Sequence, residues 1–278
     1  MQMPAKTPAS LASRKAAALV LAPMVLILGA TLAIGQGASP PAASSSPAAS
    51  AFTPEQRKEL GALIKEILVN NPEILLEAQN ALEAKMDKIQ SERMAVAIKE
   101  HAGELFRPTG SPIVGNANGD VPVIEFFDYN CGYCKKAFLD IAKLVDKDKK
   151  VRVIMKEFPI LSKGSEEAAK VALAAKMQGK YWEFHRALLQ SQGQANEATS
   201  LKVAEKLGLD MARIKKDMAS PEVQKEIDAT RELATKMGIQ GTPHFIVGDR
   251  IVPGAPENLA ELLGKHVEEV RKDGCKVC

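Results

Sequence analysis

The sequence has no surplus of either charge: 37 lysines and arginines stand against 34 aspartates and glutamates, a formal net charge of +3. No basic stripe or block runs along it, so nucleic acid is not an expected partner. The long charged stretches mix both signs and read as solvated helix faces. Aromatic residues are scarce, with eight Phe, three Tyr and one Trp, so the core must be built from aliphatic side chains and alanine. The four histidines, His101, His185, His244 and His266, are scattered. No H-E-x-x-H, glycine-rich phosphate loop or Ser-His-Asp arrangement is apparent, and neither a metal nor an organic cofactor is expected. Cysteine is limited to four residues in two C-x-x-C pairs, Cys131/Cys134 and Cys275/Cys278. A disulfide-stapled scaffold spreads its cysteines along the chain, and these pairs are too local to staple much.

What is there begins with a targeting pattern. Lys6, Arg14 and Lys15 precede an uncharged apolar run from Ala16 to Ile34. That order is the pattern of a secretory signal. The run is also long enough to span a bilayer, so a cleaved signal peptide over residues 1–38 and an anchor through residues 16–34 both stand. Pro23 and the small residues after Ile34 favour cleavage. Residues 39–52, rich in Pro, Ala and Ser, cannot bury a face and read as a tether. The expected location is the periplasm or cell envelope, where disulfides persist.

A helical segment is expected over residues 53–107. Thr53 and Gln56 have the spacing of a capping box, and Pro54 suits the first helical position. Leu60, Leu63, Ile64, Ile67 and Leu68 form an apolar stripe. Asn70-Asn71-Pro72 breaks the helix, with Asn71 as cap for a second one that continues to about Leu105. On that helix Leu75, Ala78, Leu82, Met86 and Ile89 alternate steps of three and four, a short heptad-like seam. The seam packs either on its own domain or on copies of itself. The second reading makes residues 53–105 the contact of a homo-oligomer.

Beyond Arg107-Pro108-Thr109-Gly110, residues 108–278 alternate short β runs with helices. Strands are expected at Pro122–Phe127 and Val151–Phe158, with a helix from Cys131 to Val145 between them. A helical block follows over about 164–237, in which Ser220-Pro221-Glu222 is a start signal. His244–Val247 and Arg250–Val252 flank a Gly248-Asp249 hairpin turn, and a last helix ends at Gly274. The fold class is α/β: a small mixed sheet covered by helices, with a helical insertion between its halves.

Cys131 and Cys134 open the helix that follows the first strand. Unpaired N–H groups and the helix dipole favour an anion there, which lowers a thiol pKa. Thiolate is the attacking species in thiol–disulfide exchange. Cys131 is the expected exposed nucleophile and Cys134 the buried resolving thiol. A C-x-x-C is also half of a zinc site, but the other half would have to come from Cys275 and Cys278. Thr242-Pro243 precedes a β run, and a cis bond there would present Thr242 backbone groups to an extended substrate. Glu125 is the lone acid in its apolar strand, and a buried carboxylate trades protons near neutral pH. The opposing reading puts Glu125 on a wet face. Cys275 and Cys278 follow a helix rather than open one. They read as an accessory disulfide, with a relay to the active site or soft-metal capture as alternatives.

FFDYNCGYC, KEFPIL at Lys156–Leu161, YWEFHRALL at Tyr181–Leu189 and GTPHFIVG at Gly241–Gly248 together resemble the DsbA-like branch of the thioredoxin superfamily over about residues 110–273. The resemblance implies a thioredoxin fold with a helical insertion and a redox pair at Cys131 and Cys134. It also implies a cis-proline loop at Thr242–Pro243 and a strand acid at Glu125. The implied partners are thiols and disulfides of exported proteins and a membrane protein that resets the pair. Gly132-Tyr133 between the cysteines and Thr242 before the proline are similar to the isomerase-type members, and Gly132, Tyr133, Thr242 and Pro243 are assigned to substrate contact. The N-terminal helices resemble those of ScsC-like proteins. Isomerase or reductase is therefore expected over a DsbA-type oxidase. A metal-binding or chaperone-like envelope module is the alternative from another class.

Overall fold

Seven residues of one strand, Val-Pro-Val-Ile-Glu-Phe-Phe, are all buried, and the fold is arranged around them. The computed structural model describes residues 52–278; the signal over 1–38 and the tether up to residue 51 lie outside the described residues. The chain divides into two units, Met1–Lys65 and Glu66–Cys278. Helix α1 (Pro54–Asn70) starts with the expected capping box: Thr53 N–H donates to Gln56 Oε1 (2.8 Å) and Gln56 N–H to Thr53 Oγ1 (3.2 Å). Its stripe residues Leu60, Leu63, Ile64 and Ile67 are exposed.

Helix α2 (Glu73–Glu100) follows, and its capping differs from expectation. Pro72 occupies the N-cap, and the Asn71 side chain donates backwards to Ile67 O (2.9 Å), closing α1 instead. Leu75, Leu82 and Met86 are exposed, whereas Met94, Ala97 and Ile98 are buried. The helix breaks at His101, before Leu105, and a short α3 (Ala102–Phe106) places Leu105 and Phe106 in the core.

The mixed sheet has five strands in the order β1-β3-β2-β4-β5: β1 (Ile113–Gly115), β2 (Val121–Phe127), β3 (Val151–Glu157), β4 (His244–Val247) and β5 (Arg250–Pro253). β2 runs parallel to β3 and antiparallel to β4, and the two edge strands are antiparallel to their neighbours. Burial on both faces explains why β2 reads as a continuous apolar run. β1 was not anticipated; three residues carry too short a pattern to read. Pro122 lies just ahead of the β2–β4 pairing, which begins at Val123, so its missing N–H costs that ladder nothing.

Alternation along β2 sends residues to two cores. Val121, Val123 and Phe127 join Met155, Phe245 and the helix α4 (Gly132–Lys147). Ile124 and Phe126 join Ile154, Ile246, Ile98 and Phe106 on the other face. Between β3 and β4 lie five helices: α5 (Lys163–Met177), α6 (Tyr181–Leu189), α7 (Glu197–Lys206), α8 (Met211–Asp217) and α9 (Pro221–Met237). α5 is rich in buried alanines, as the scarcity of aromatic residues requires. The Ser220 hydroxyl caps α9 and Gly238, at φ 70°, ends it. Helix α10 (Leu259–Asp273) packs Leu259, Leu263, Val267 and Val270 into the first core. Among the described residues no helix is long and apolar enough to cross a membrane.

Candidate active site

Asp128 builds the approach to the cysteine pair. Its Oδ1 accepts from Asn130 N–H (2.7 Å), and its Oδ2 from Ile160 and Leu161 N–H (2.9 and 3.0 Å). Asn130 then ties the turn to the helical insertion, donating to Ala195 O (2.9 Å) and accepting from Ala195 N–H (2.8 Å). The residue before Cys131 is therefore fixed from two sides.

Cys131 is the N-cap of α4. Its extended backbone (φ −77°, ψ 116°) turns Sγ over the first turn, where it accepts from Cys134 N–H (3.4 Å). The nucleophile thus occupies the position that a serine or aspartate cap would fill. Its Sγ also donates to the backbone oxygen of Thr242 (3.2 Å). The Cys131 thiol is lowered from 9.0 to about 6, chiefly by its bond with the Cys134 thiol. The Thr242 side chain and the N–H groups of Cys134 and Tyr133 add to this, and burial opposes it. The expectation of an exposed nucleophile needs correction: Cys131 is 6% exposed, packed at the edge of the first core with Thr242 O 3.2 Å from its Sγ. Cys134 is more deeply buried at 1%, and its pKa is pushed far up by burial first, then by the bond to Cys131.

Glu125 is 3% exposed, which removes the wet-face reading. It shares the α4 side of the sheet with Val123 and Phe127. Burial raises its carboxyl to about 8, and charge on Cys131 adds to the rise. The Thr242–Pro243 peptide is cis. Tyr133 is 66% exposed, and a side chain added at Gly132 would meet open space. Packing therefore does not require glycine at 132.

A second buried polar cluster lies beside the pair. Glu157 Oε1 accepts from Tyr181 OH (2.8 Å) and Tyr129 OH (3.2 Å), and Tyr129 OH contacts His185 Nδ1 (3.1 Å). Burial pushes the Glu157 pKa well up, against the Tyr181 and Tyr129 bonds that lower it, and burial drops that of His185 to about 3, so His185 is neutral near pH 7. His185 stacks on Trp182 (5.5 Å). Glu157, Tyr129, Tyr181 and His185 all lie in the motifs that carry the family resemblance, but nothing local in the sequence brings them together.

At the far end of the chain, Cys275 and Cys278 form a disulfide. Val277 and Cys278 pack against the second core, and Arg107 Nη1 donates to Cys278 O (2.6 Å). Among the described residues no group of three or more His, Cys, Asp or Glu is placed to hold a metal ion.

Comparison with known proteins agrees with this geometry. Residues 122–264 match the family model of the DsbA-like thioredoxin domain, and residues 56–86 match that of the copper resistance protein ScsC N-terminal domain. A thioredoxin-like oxidoreductase from Silicibacter pomeroyi is 46% identical, with a TM-score of 0.59 over 61% of this chain and 97% of its own. The thiol-disulfide exchange protein alpha-DsbA2 from Wolbachia pipientis is 30% identical, with a TM-score of 0.61 over 66% of this chain and 98% of its own. A linker-deletion mutant of ScsC from Proteus mirabilis is 27% identical, with a TM-score of 0.60 over 81% of this chain and 99% of its own. The chain spans 24% and 27% of the length of the first two curated relatives it matches, both named as Na(+)/H(+) antiporters. A five-stranded mixed sheet, a cysteine-capped helix and a family match over residues 122–264 place this chain in the family of DsbA-like thioredoxin domains.

Proposed function

We propose that this chain is a protein thiol–disulfide oxidoreductase of exported polypeptides, acting as an isomerase or reductase rather than a dedicated oxidase. The observation that carries the reading is Cys131 Sγ at the α4 N-cap, under the Thr242 carbonyl and one turn from a buried Cys134.

Cys131 thiolate attacks one sulfur of a substrate disulfide. The substrate S–S bond breaks, a Cys131–substrate disulfide forms, and the leaving thiolate takes a proton. Ionisation of Cys131 also ends its donation to Thr242 O, which frees that carbonyl for a substrate N–H. In an isomerase cycle a different substrate thiolate attacks the substrate sulfur of the mixed disulfide: the Cys131–substrate S–S bond breaks, a rearranged substrate disulfide forms, and Cys131 leaves as thiolate. In a reductase cycle Cys134 attacks Cys131 Sγ, the reduced substrate leaves, and the chain holds the two-electron disulfide. Cys134 needs a base for this step, since burial holds its proton. Glu125 is that base. Once Cys131 is in a mixed disulfide its charge is gone, and with it one of the two causes that raise Glu125. The carboxyl then ionises more readily at the moment a base is needed.

Gly132-Tyr133 brings no cation to the thiolate, which supports a moderate rather than extreme preference for it. The exposed stripe on α1 and the exposed first half of α2 support self-association through these helices. The charged-then-apolar N-terminus supports export to the cell envelope, where a membrane redox partner resets the pair.

Cys131→Ala is expected to abolish insulin reduction and reactivation of scrambled ribonuclease; full retention of both overturns the reading. Equilibration of Cys131–Cys134 with glutathione separates the two tasks, a mild potential fitting an isomerase and a strongly oxidising one an oxidase. Sedimentation of the full chain is expected to give a mass per particle above one chain.

A further inference from the structure

Cys275 and Cys278 close a loop around only Lys276 and Val277. A disulfide stabilises mainly by constraining the unfolded chain, and it does so least when the loop is shortest. The pair therefore adds little as a staple, and its surroundings share features with the Cys131 site. Cys275 Sγ accepts from Cys278 N–H at 3.1 Å, as Cys131 Sγ does from Cys134 N–H at 3.4 Å. A backbone N–H held on sulfur favours the thiolate. Lys276 is exposed and makes no ion pair among the described residues. A cation beside a thiol also favours the thiolate, and Gly132-Tyr133 offers Cys131 none. The carbonyl end of α10 opposes it, so Cys275 is expected to react more slowly than Cys131.

Access is the remaining requirement. Cys275 is half-buried and borders a pocket of about 150 Å³ between the β4–β5 turn and the end of α10. Gly248 forms part of its wall, where an added Cβ would stand 3.7 Å from Cys275 Sγ. Asp249 and Asp273 also line it, and Arg250 pairs with each (2.8 and 3.5 Å). A space of that size takes a small molecule rather than a polypeptide segment. Gly248 follows β4 at the end opposite the cis proline, so the tail pair and the Cys131 pair lie apart.

We propose that Cys275–Cys278 is a second thiol–disulfide exchange site, independent of Cys131–Cys134, whose substrate is a low-molecular-weight thiol or its disulfide. A small thiolate attacks Cys275 Sγ from the pocket. The Cys275–Cys278 bond breaks, a mixed disulfide forms on Cys275, and Cys278 leaves as thiolate and takes a proton. A second small thiolate attacks the external sulfur of that mixed disulfide. The small disulfide departs, Cys275 is left as thiolate under Cys278 N–H, and two electrons have entered the chain. The reverse sequence reduces a small disulfide and closes the pair.

The test uses the full chain carrying Cys131→Ala and Cys134→Ala, which leaves the tail pair as its only cysteines. The probe is glutathione over a series of reduced-to-oxidised ratios. Thiols are counted by maleimide mass tagging, and folding is followed by circular dichroism. The folded chain is expected to pass from no tagged thiol to two across the series. A pair that stays closed at every ratio, or opens only on unfolding, is a staple and overturns the proposal.

Single-cysteine chains then separate the two sulfurs. With Cys278→Ser added, Cys275 is expected to take glutathione from its disulfide about tenfold faster than Cys278 does in the chain with Cys275→Ser. Adding Lys276→Glu to the Cys275 chain is expected to slow it about threefold to tenfold. Equal rates for the two sulfurs, or no effect of Lys276→Glu, overturns the proposal. The full chain carrying only Cys275→Ser and Cys278→Ser reports on Cys131–Cys134. Insulin reduction by that chain, beside a tail pair that stays closed, removes this proposal alone. No insulin reduction, beside a tail pair that exchanges, upholds it and removes the Cys131 reading alone.

Discussion

Glu125 keeps its proton to about pH 8 in the fold, whereas an unfolded carboxyl releases it near 4.5. Between those values the folded state binds more protons, so stability falls as pH rises, by about 1.4 kcal/mol per unit. Glu125→Gln cannot ionise. Urea unfolding of the reduced variant is expected to show a gain of about 2–4 kcal/mol at pH 7.5, and little change at pH 4. A remaining slope is expected, because Glu157 is raised in the same direction. The same variant should slow the Cys134 step about a hundredfold, read as a longer-lived mixed disulfide. Cys131, Cys134 and Glu125 were legible in the sequence because a strand leading straight into a helix places them within ten residues. The Glu157 cluster was not. Tyr129 reaches Glu157 across 28 residues and His185 across 56, and no local pattern records that meeting.

α2 changes character along its length: Leu75, Leu82 and Met86 are exposed, while Met94, Ala97 and Ile98 are buried with Phe106 in the second core. The self-association reading takes residues 53–105 as one contact, but beyond the Leu75–Ile89 seam the helix belongs to the core of its own domain. Shortening the chain therefore has two outcomes. Removal of residues 52–82 should lower the mass per particle and leave the melting midpoint nearly unchanged. Removal through residue 105 should prevent folding, since it strips Met94, Ile98 and Leu105 from a buried cluster in which one such side chain is worth about 2–5 kcal/mol. Sedimentation and circular dichroism distinguish the two. Helix starts such as Ser220-Pro221 and Thr53-Gln56 were legible because their caps are local hydrogen bonds. The Asn71 cap was misassigned because its amide serves either helix equally well by spacing, and the carbonyl of Ile67 takes it.

For the whole molecule, the C-terminal disulfide closes a local loop in the tail after α10, and that loop docks on the second core. Val277 and Cys278 sit against the second core, and Arg107 holds the Cys278 backbone oxygen. A chain ending at Gly274 should lose about 1–2 kcal/mol, read as a melting midpoint lower by about 2–8 °C. Insulin reduction should be unaffected, because Cys275 lies beside Gly248, at the end of β4 remote from His244 and the cis proline. This C-x-x-C follows α10 rather than opening a helix, although Cys275 Sγ accepts from Cys278 N–H (3.1 Å) as Cys131 Sγ does from Cys134 N–H. The order of strands and the insertion were legible as alternating periods, whereas β1 and the tail's docking rest on contacts that only the assembled sheet creates.

The Cys131–Thr242 contact joins residues 111 apart in sequence. A ribosome releases the cysteines long before it releases the loop that covers them. Until β4 is threaded beside β2, Cys131 lacks its Thr242 acceptor. The Thr242 contact is therefore completed only when the last third of the polypeptide has closed the sheet, whereas the Cys134 bond that chiefly lowers the thiol is local to α4.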